Sequence, residues 1–364
     1  MSRSLGAAAL GLGLVLCGAA FDSPSLHVPG VVLLLLGGAA AAWVWLADRG
    51  ARVQRELGPH AVQEEEPYPV RLRFSAGVLR PPGGELVEPL LAEPIPVGLI
   101  RSRRVRVEVR FGRRGRRPIV PARLVVRDPL SLAVRERPVG QAGEVIVLPR
   151  IEPVLALDGG GSGDTLGELG VPLASAASEL ELDSLRPYRP GAPASRIHWP
   201  TVARTGELME RRLVGDQDAR PVVVLDPRRP HSEEALDMAV RAAASIALRV
   251  ARESGCSLLL PGDRRPVEIE PDLRGWPALH VRLALVAETA EPPAAARLQR
   301  AGTIFWVSPA SGDRLPAGLE RAGASVRYLV APGDAAGAGT PAFSVAGCTG
   351  CRLGRGRGRG RVAA

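Results

Sequence analysis

Six polar and aromatic residues that could do chemistry stand close together in the sequence: Arg186, Tyr188, Arg196, His198, Trp199 and Arg204. Arginine and aromatic side chains are frequent anchors of protein interfaces, so this group predicts a surface that docks a partner or a substrate. The alternative interpretation is structural. Tyr188 and Trp199 would then wedge two domains together, while the arginines pair with acids such as Asp183 and Glu207.

His198 is the member of this group that could act as a general base, which is the chemistry of a hydrolase. Such a base needs a nucleophile to activate. No Ser, Cys or carboxylate stands in a recognisable nucleophile motif around it. A membrane-associated hydrolase with His198 in its site is therefore the alternative to a non-enzymatic protein that binds partners.

The basic residues exclude several classes of enzyme. The chain has no lysine, so all 47 of its Lys and Arg residues are arginine. A Walker A lysine, a Schiff-base lysine and a Ser-x-x-Lys nucleophile pair are all excluded. The net charge of +9 suits an anionic membrane surface or nucleic acid, and nothing points to a specific nucleic acid or to a small-molecule substrate.

Two cysteines, Cys348 and Cys351, form a C-x-x-C pair near the end of the chain. A structural zinc site needs four ligands, and no histidine or third cysteine lies nearby in the sequence. The pair is therefore predicted to be free thiols in a disordered tail, residues 336–364, whose Arg-Gly repeats cannot pack. No metal or other cofactor is expected.

Residues 1–50 contain two apolar runs, 5–21 and 30–47, and each approaches the roughly 20 residues needed to cross hydrocarbon. The connector 22–29 has no arginine. By the positive-inside rule, the sequence predicts a two-helix hairpin in the cell inner membrane, with soluble domains in the cytoplasm and the lipid bilayer as a partner. A cleaved signal peptide competes for the first run, but the second run close behind it favours the hairpin. The outer ends of the hairpin carry the arginines on which the orientation depends: Arg3, Arg49, Arg52 and Arg55.

The rest of the chain predicts a multidomain membrane protein. Residues 64–155 alternate apolar and polar side chains in short runs, which is typical of an all-β domain, either a sandwich or a barrel. Residues 156–215 include a glycine-rich linker. Residues 216–335 alternate strands with helices, which predicts an α/β doubly wound domain.

Within this α/β region the local signals are specific. The apolar run 222–225 ends at Asp226 and predicts a buried parallel strand. Ser232 is a suitable N-cap for the helix that follows. The runs 256–260 and 267–269 are too close together for a helical crossover and predict a hairpin.

Three segments, 185–191, 196–199 and 203–209, together resemble the core signature of a bacterial family, the domain of unknown function 58. They contain Arg-Pro-Tyr-Arg-Pro-Gly ending at Gly191, Arg-Ile-His-Trp, and Ala-Arg-Thr-Gly-Glu. Upstream, the Arg-Arg-Gly run at 113–115 and the Asp-Pro-Leu-Ser-Leu run at 128–132 resemble two further patterns of that family. Departures are Ala192, where the family usually has aspartate, and Leu130 and Ser131, where it has Phe-Gly.

Members of that family commonly accompany MoxR-type AAA+ ATPases. The resemblance therefore implies a membrane-anchored protein that works with such an ATPase. The lack of a nucleophile motif favours a non-enzymatic scaffold or adaptor, with a role in envelope-related protein assembly. The resemblance also implies that the C-terminal domain is von Willebrand factor A-like.

A von Willebrand A domain that binds metal has Asp-x-Ser-x-Ser after its first strand, since Mg²⁺ prefers oxygen ligands. Here Asp226 matches, but Arg228 and Pro230 stand at the serine positions, so no metal is expected. Two placements of Arg228 are open. It occupies the cation's place through an ion pair with Asp226, or it lies in solvent.

Overall fold

The computed structural model describes residues 2–157, 182–187, 199–213, 220–289, 291–294, 298, 302–310, 315–321, 324, 326–333 and 339–353. The chain forms two compact units. The first comprises Met1–Gly112 and Arg116–Val147. The second comprises Arg113–Gly115 and the chain from Leu148 onward.

The first unit opens with two apolar helices, α1 (Ser2–Ala20) and α2 (Pro24–Gly50). Both are long and apolar enough to cross a membrane, as predicted. The connector is shorter than the predicted 22–29. Helix α2 begins at Pro24 because proline suits the first turn of a helix, where its missing N–H would have no partner.

Glycines allow α1 and α2 to pack closely. A Cβ atom at Gly30 would lie 2.9 Å from the carbonyl oxygen of Gly11, and a Cβ at Gly37 would lie 2.9 Å from that of Ser4. Small residues are the usual means of close helix packing in membranes, because van der Waals contact replaces the hydrophobic effect there. The two helices therefore form a packed hairpin.

The rest of the first unit, called the β region below (residues 51–112 and 116–147), is built from antiparallel strands. The pairs β1–β3, β3–β6, β4–β5, β4–β8 and β8–β9 are all antiparallel. The three sheets have the orders β1-β3-β6, β2-β10-β7 and β5-β4-β8-β9. The strands are β1 (Arg52–Glu56), β2 (Ala61–Gln63), β3 (Tyr68–Ser75), β4 (Gly83–Val87), β5 (Ile95–Pro96), β6 (Ser102–Val109), β7 (Gly115–Ile119), β8 (Ala122–Arg127), β9 (Val134–Val139) and β10 (Gly143–Leu148).

The predicted alternation in β6 is confirmed. Arg104 and Arg106 are exposed, while Val105 and Val109 pack against the core. The predicted start of this region at residue 64 is wrong, because β1 and β2 precede it. These strands are short and polar, and only their pairing within the sheets makes them strands.

Helix α2 continues into the core of the β region without a linker. Val44, Ala47 and Ala51 are buried in that core, and Ala40 packs against it. Their spacing places them on one face of a helix. The same helix therefore contacts α1 through its first half and the β sheets through its last three turns.

The second unit contains one large sheet with eight strands, in the order β11-β19-β20-β18-β17-β14-β15-β16. Strands β12 and β13 pair separately. The strands are β11 (Leu155–Ala156), β12 (Leu182–Pro187), β13 (Met209–Leu213), β14 (Val222–Leu225), β15 (Cys256–Leu259), β16 (Val267–Ile269), β17 (Thr303–Val307), β18 (Val326–Pro332), β19 (Thr340–Val345) and β20 (Cys348–Leu353). The helices are α3 (Trp199–Thr205), α4 (Glu233–Ser254), α5 (Trp276–Ala284) and α6 (Ala317–Arg321).

The alternation of strands and helices predicted for this region is confirmed. Strand β14 is parallel to β15 and β17, and β17 is parallel to β18. Strands β15 and β16 form the predicted antiparallel hairpin. Ser232 caps α4, because its Oγ accepts a hydrogen bond of 3.1 Å from the Ala235 N–H.

The predicted disordered tail, 336–364, is wrong for residues 340–353, which form strands β19 and β20. Ala346 and Gly347 have φ values of 50° and 75°, which suit the tight turn of a hairpin. Phe343 and Cys348 are buried in the core of the second unit. Burial of these side chains stabilises the two strands, although the Arg-Gly repeats follow them directly. Residues 354–364, with the Arg-Gly repeats, lie outside the described residues.

His280 on α5 leads to a pH prediction. Its Nε2 lies 2.8 Å from the Pro149 carbonyl oxygen, and burial lowers the pKa of His280. The folded state therefore holds a neutral imidazole, whereas the unfolded chain takes up a proton near pH ~6.5. The contribution of His280 to stability is then fully present above about pH 6.5 and is lost as the pH falls toward the lowered pKa. In urea unfolding followed by tryptophan fluorescence, His280→Leu should flatten this slope. The exposed His60, changed to Gln, should not. An equal slope in wild type and His280→Leu would contradict the prediction.

Candidate functional site

The large sheet has a switch point between β14 and β17. The chain passes from β14 through α4 to β15 on one side, while β17 lies on the other side of β14. Two loops therefore diverge at the carboxyl ends of these strands, where open α/β sheets bind their ligands. Asp226 follows β14 there, and its N–H donates to the Val307 carbonyl at 2.9 Å.

Asp226 and Arg228 form a two-pronged ion pair at this point. The carboxylate of Asp226 is buried, and its Oδ1 and Oδ2 accept hydrogen bonds from Nε and Nη2 of Arg228 at 2.7 and 2.8 Å. The hydrogen bond to Asp226 raises the pKa of Arg228. Of the two placements open from the sequence, the structure has the ion pair.

The donor set at this point does not fit a divalent cation. A Mg²⁺ site needs several oxygen ligands, whereas both carboxylate oxygens of Asp226 already accept hydrogen bonds, and Arg228 and Pro230 have no side-chain oxygen. Across the described residues, no group of three or more His, Cys, Asp or Glu side chains could hold a metal ion. The positive charge at the switch point is that of a guanidinium.

The loops around the pair are held by further hydrogen bonds. His231 Nδ1 lies 3.1 Å from the carbonyl oxygen of Pro309, which links the loop after β14 to the loop after β17. The Ser308 N–H donates to the Val330 carbonyl at 2.9 Å. Arg228 is therefore presented by a fixed backbone, with about a third of its side chain exposed (32%).

A second arginine–carboxylate cluster lies at the start of α4, and sequence reasoning missed its acid. Asp237 is buried within α4, and it pairs with Arg113 at 3.0 Å and with Arg114 at 2.9 Å. Arg113 also donates to Glu233 at 2.6 Å. One signal for it was available in the sequence. Asp237 is an aspartate among the apolar residues of a predicted buried helix, and a buried acid needs a partner.

Arg114 has a second role in this cluster. Its Nη1 lies within hydrogen-bonding distance of three backbone carbonyls at the end of α5, those of Leu283, Ala284 and Val286, at 3.1, 3.1 and 2.8 Å. The Leu283 carbonyl also accepts a hydrogen bond from the Val286 N–H at 3.2 Å. The last carbonyls of a helix often lack a partner within the helix, and a guanidinium there supplies a donor. The Arg-Arg-Gly run is thus a structural connector within the second unit.

The cluster predicted around residue 198 is only partly described. Arg186 lies in β12, opposite Glu210 of β13, and Trp199 begins α3. Arg204 is exposed in the same helix. Tyr188, Gly191, Arg196 and His198 lie outside the described residues. The docking surface, the domain wedge and the hydrolase site with His198 all stay predictions.

No family model, curated protein or solved structure matches the chain. It has two apolar N-terminal helices, one of which continues into a set of antiparallel sheets, and a mixed sheet with an Asp–Arg pair at its switch point.

Proposed function

We propose that this protein is a non-enzymatic adaptor of the domain of unknown function 58 family. In this proposal the hairpin of α1 and α2 anchors it in the cell inner membrane, and its other domains lie in the cytoplasm. The two apolar helices support the anchor, and the arginines that flank them support the orientation. The C-terminal unit acts as a von Willebrand factor A-like module that binds a protein.

The Asp226–Arg228 pair is the observation that carries the binding role. In an open α/β sheet the switch point is the usual place for a ligand, and here it offers a guanidinium on a fixed loop. Arginine suits contacts with carboxylates because its N–H groups form a planar fork and it is more weakly hydrated than lysine. Arg228 would contact an acidic side chain of the partner.

The partner in this proposal is a MoxR-type AAA+ ATPase, as the family resemblance implies. The residues that carry that resemblance are the run ending at Gly191 and the Arg-Ile-His-Trp run at 196–199. The ATPase would supply the energy for envelope-related assembly, and the adaptor would supply the position at the membrane. No step of this role needs a cofactor bound to the chain.

Neutralising the ion pair should weaken ATPase binding. In Asp226→Asn/Arg228→Gln both charges are removed together, so neither is left buried alone, and the fold should persist. We expect at least a tenfold rise in Kd, about 1.4 kcal/mol, for the purified MoxR-type ATPase of the same organism. The measurement is surface-based binding to the full chain in detergent.

Arg252 supplies the matched control for this experiment. It is exposed in the last turn of α4, near the amino end of β15 and away from the switch point. Arg252→Gln removes one arginine charge there, as Arg228→Gln does at the switch point. We expect its Kd to be unchanged. Equal affinity of the wild type and the double variant would reject the role of the switch point, and no binding by the wild type would reject the ATPase as partner.

A further inference from the structure

The exposed apolar side chains of the β region are concentrated at one end of it. Scattered exposed apolar residues are normal, whereas a group of them marks a contact surface. The β region has six exposed large apolar side chains. Five of them lie at the end of the β4–β8–β9 sheet where β4 and β9 begin, and Val120 lies at the other end. The six are Val78, Leu79, Leu99, Val120, Leu130 and Val134.

The strand register brings two of the loops that carry them together. Arg127, at the end of β8, pairs with Gly83 at the start of β4 and with Val134 at the start of β9. The loop that leads into β4 carries the first two of these residues, and the turn between β8 and β9 carries Leu130. The loop and the turn therefore lie at one end of the same sheet.

Leu99 belongs to the same end, and Val120 does not. The Leu99 N–H donates to the carbonyl of Pro81 at 2.7 Å, which places Leu99 against the loop before β4. Val120 stands just before Ala122, which pairs with Val139 at the far end of β8. Leu130 and Val120 therefore lie at opposite ends of the same sheet, and Val120 can serve as the control in an experiment on the apolar end.

The apolar end is also the end at which α2 enters. A Cβ atom at Gly50 would lie 2.9 Å from the Cα of Gly77, so the loop that carries Val78 starts against the last turn of α2. The Trp43 Nε1–H donates to the carbonyl of Arg80 at 3.1 Å. Gly50 and Trp43 are roughly 10 Å apart along the helix axis. The loop from Gly77 to Arg80 therefore runs along α2 from its C-terminal end toward its apolar part.

The packing of α1 indicates where a membrane surface would lie. Ser4, near the start of α1, lies against Gly37 of α2. Ala40, about one turn further along α2, already packs against the core of the β region. In a hairpin, α1 spans the hydrocarbon alongside α2, so the part of α2 that lies beside α1, up to about Gly37, is within the membrane. Only about one turn of α2 then separates the membrane from the sheets.

Charge at this end complements a phospholipid surface. The guanidinium of Arg49 lies 4.9 Å from the ring centroid of the exposed Trp45, and tryptophan is frequent at membrane interfaces. Arg55 does not belong to this group, because it is buried against Glu88. The exposed arginines here are Arg49, Arg52, Arg80 and Arg101.

We propose that this end of the β region is a second membrane contact. Val78, Leu79, Leu99 and Leu130 enter the headgroup layer beside α2, and the four arginines contact lipid phosphates. The inference rests on the proposed membrane anchor. A bilayer is the occupant because the apolar end adjoins the membrane helix, through the Gly50–Gly77 and Trp43–Arg80 contacts.

The test places a fluorescent label at single cysteines of the full chain. Cys17 is exposed and is changed to serine. Burial raises the pKa of Cys256 and Cys348 to about 12, and Cys351 is buried, so these three should react poorly. Nitrobenzoxadiazole is attached at Val78→Cys, Leu130→Cys or the control Val120→Cys. The protein is then placed in vesicles of equal parts phosphatidylcholine and phosphatidylglycerol.

Labels at Val78 and Leu130 should emit at shorter wavelength and lose fluorescence to nitroxide-labelled lipids, while the label at Val120 should do neither. A further label at Leu35→Cys, an exposed position in α2, reports the anchor itself. Quenching at Leu35 without quenching at Val78 or Leu130 would overturn the second contact and leave the anchor intact. Absence of quenching at Leu35 would overturn the anchor, and the second contact with it.

Discussion

Arg114→Met is expected to destabilise the second unit by about 3–5 kcal/mol, since it removes one partner from a buried ion pair. The side chains of Arg114 and Asp237 are only 4% and 6% exposed. The variant also removes the donor that lies within hydrogen-bonding distance of the Ala284 and Val286 carbonyls at the end of α5. Urea unfolding of the full chain in detergent, followed by tryptophan fluorescence, measures the loss, because Trp276 and Trp306 are buried in this unit.

Two further variants distinguish the effect of the buried Arg114–Asp237 ion pair on stability from the effect of the exposed Arg113. Arg113→Ala removes the neighbouring arginine, whose side chain is 46% exposed, and should cost only about 0–1 kcal/mol. Arg114→Met/Asp237→Leu removes the acid that the single variant leaves without its buried partner, so it should be more stable than Arg114→Met alone. If Arg114→Met costs no more than Arg113→Ala, the cluster does not stabilise the unit.

Asp48→Ala is expected to destabilise the junction between α2 and the β region by about 2–4 kcal/mol, because it leaves two arginines without their acid. Asp48 is buried in the last turn of α2. Its carboxylate accepts a hydrogen bond from Nε of Arg137 at 2.6 Å and forms an ion pair with Nε of Arg135 at 2.8 Å. A carboxylate near the C-terminus of a helix opposes the helix dipole, so its stability there depends on these partners. Arg137 also donates to the carbonyl of Ala51 at 2.7 Å, which caps the helix.

Hydrogen exchange of the full chain in detergent, read at β8 and β9, measures this effect region by region. Glu136→Ala is the matched control on β9. Glu136 pairs with Arg123 at the surface, with side chains 48% and 59% exposed, so its loss should cost about 0–1 kcal/mol. Equal protection in both variants would show that Asp48 does not hold the helix to the sheets.

Much of the local structure could be predicted because the interactions behind it join residues close in the sequence. The apolar runs of α1 and α2, the alternation of β6 and the Ser232 cap of α4 are of this kind. The Asp226–Arg228 pair is intermediate. Its partners are two positions apart in the sequence, so the pair could be proposed, but the ion pair that the structure shows with the buried Asp226 decides against the solvent alternative.

Strands β19 and β20 show where local signals mislead. The neighbouring Arg-Gly repeats led to the prediction that the whole of residues 336–364 is disordered. In the structure β20 pairs with β18, and Phe343 of β19 is fully buried beside Phe305 and Tyr328. The burial of that aromatic side chain stabilises the strand, and this burial depends on strands that lie earlier in the chain.

Local patterns were enough to predict the two apolar helices and the order of strands and helices from β14 to β18, but not the strands β1, β2, β19 and β20. Which charges are paired and which surfaces are left open depends on the tertiary structure. Arg113 and Asp237 are 124 residues apart, and Arg137 and Asp48 are 89 apart, so no local pattern could match them. The same holds for the apolar end of the β region, because Val78 and Leu130 share it only through the pairing of β4 with β8. The physical reason is that a buried charge or a contact surface is defined by neighbours in space, which chain spacing does not specify.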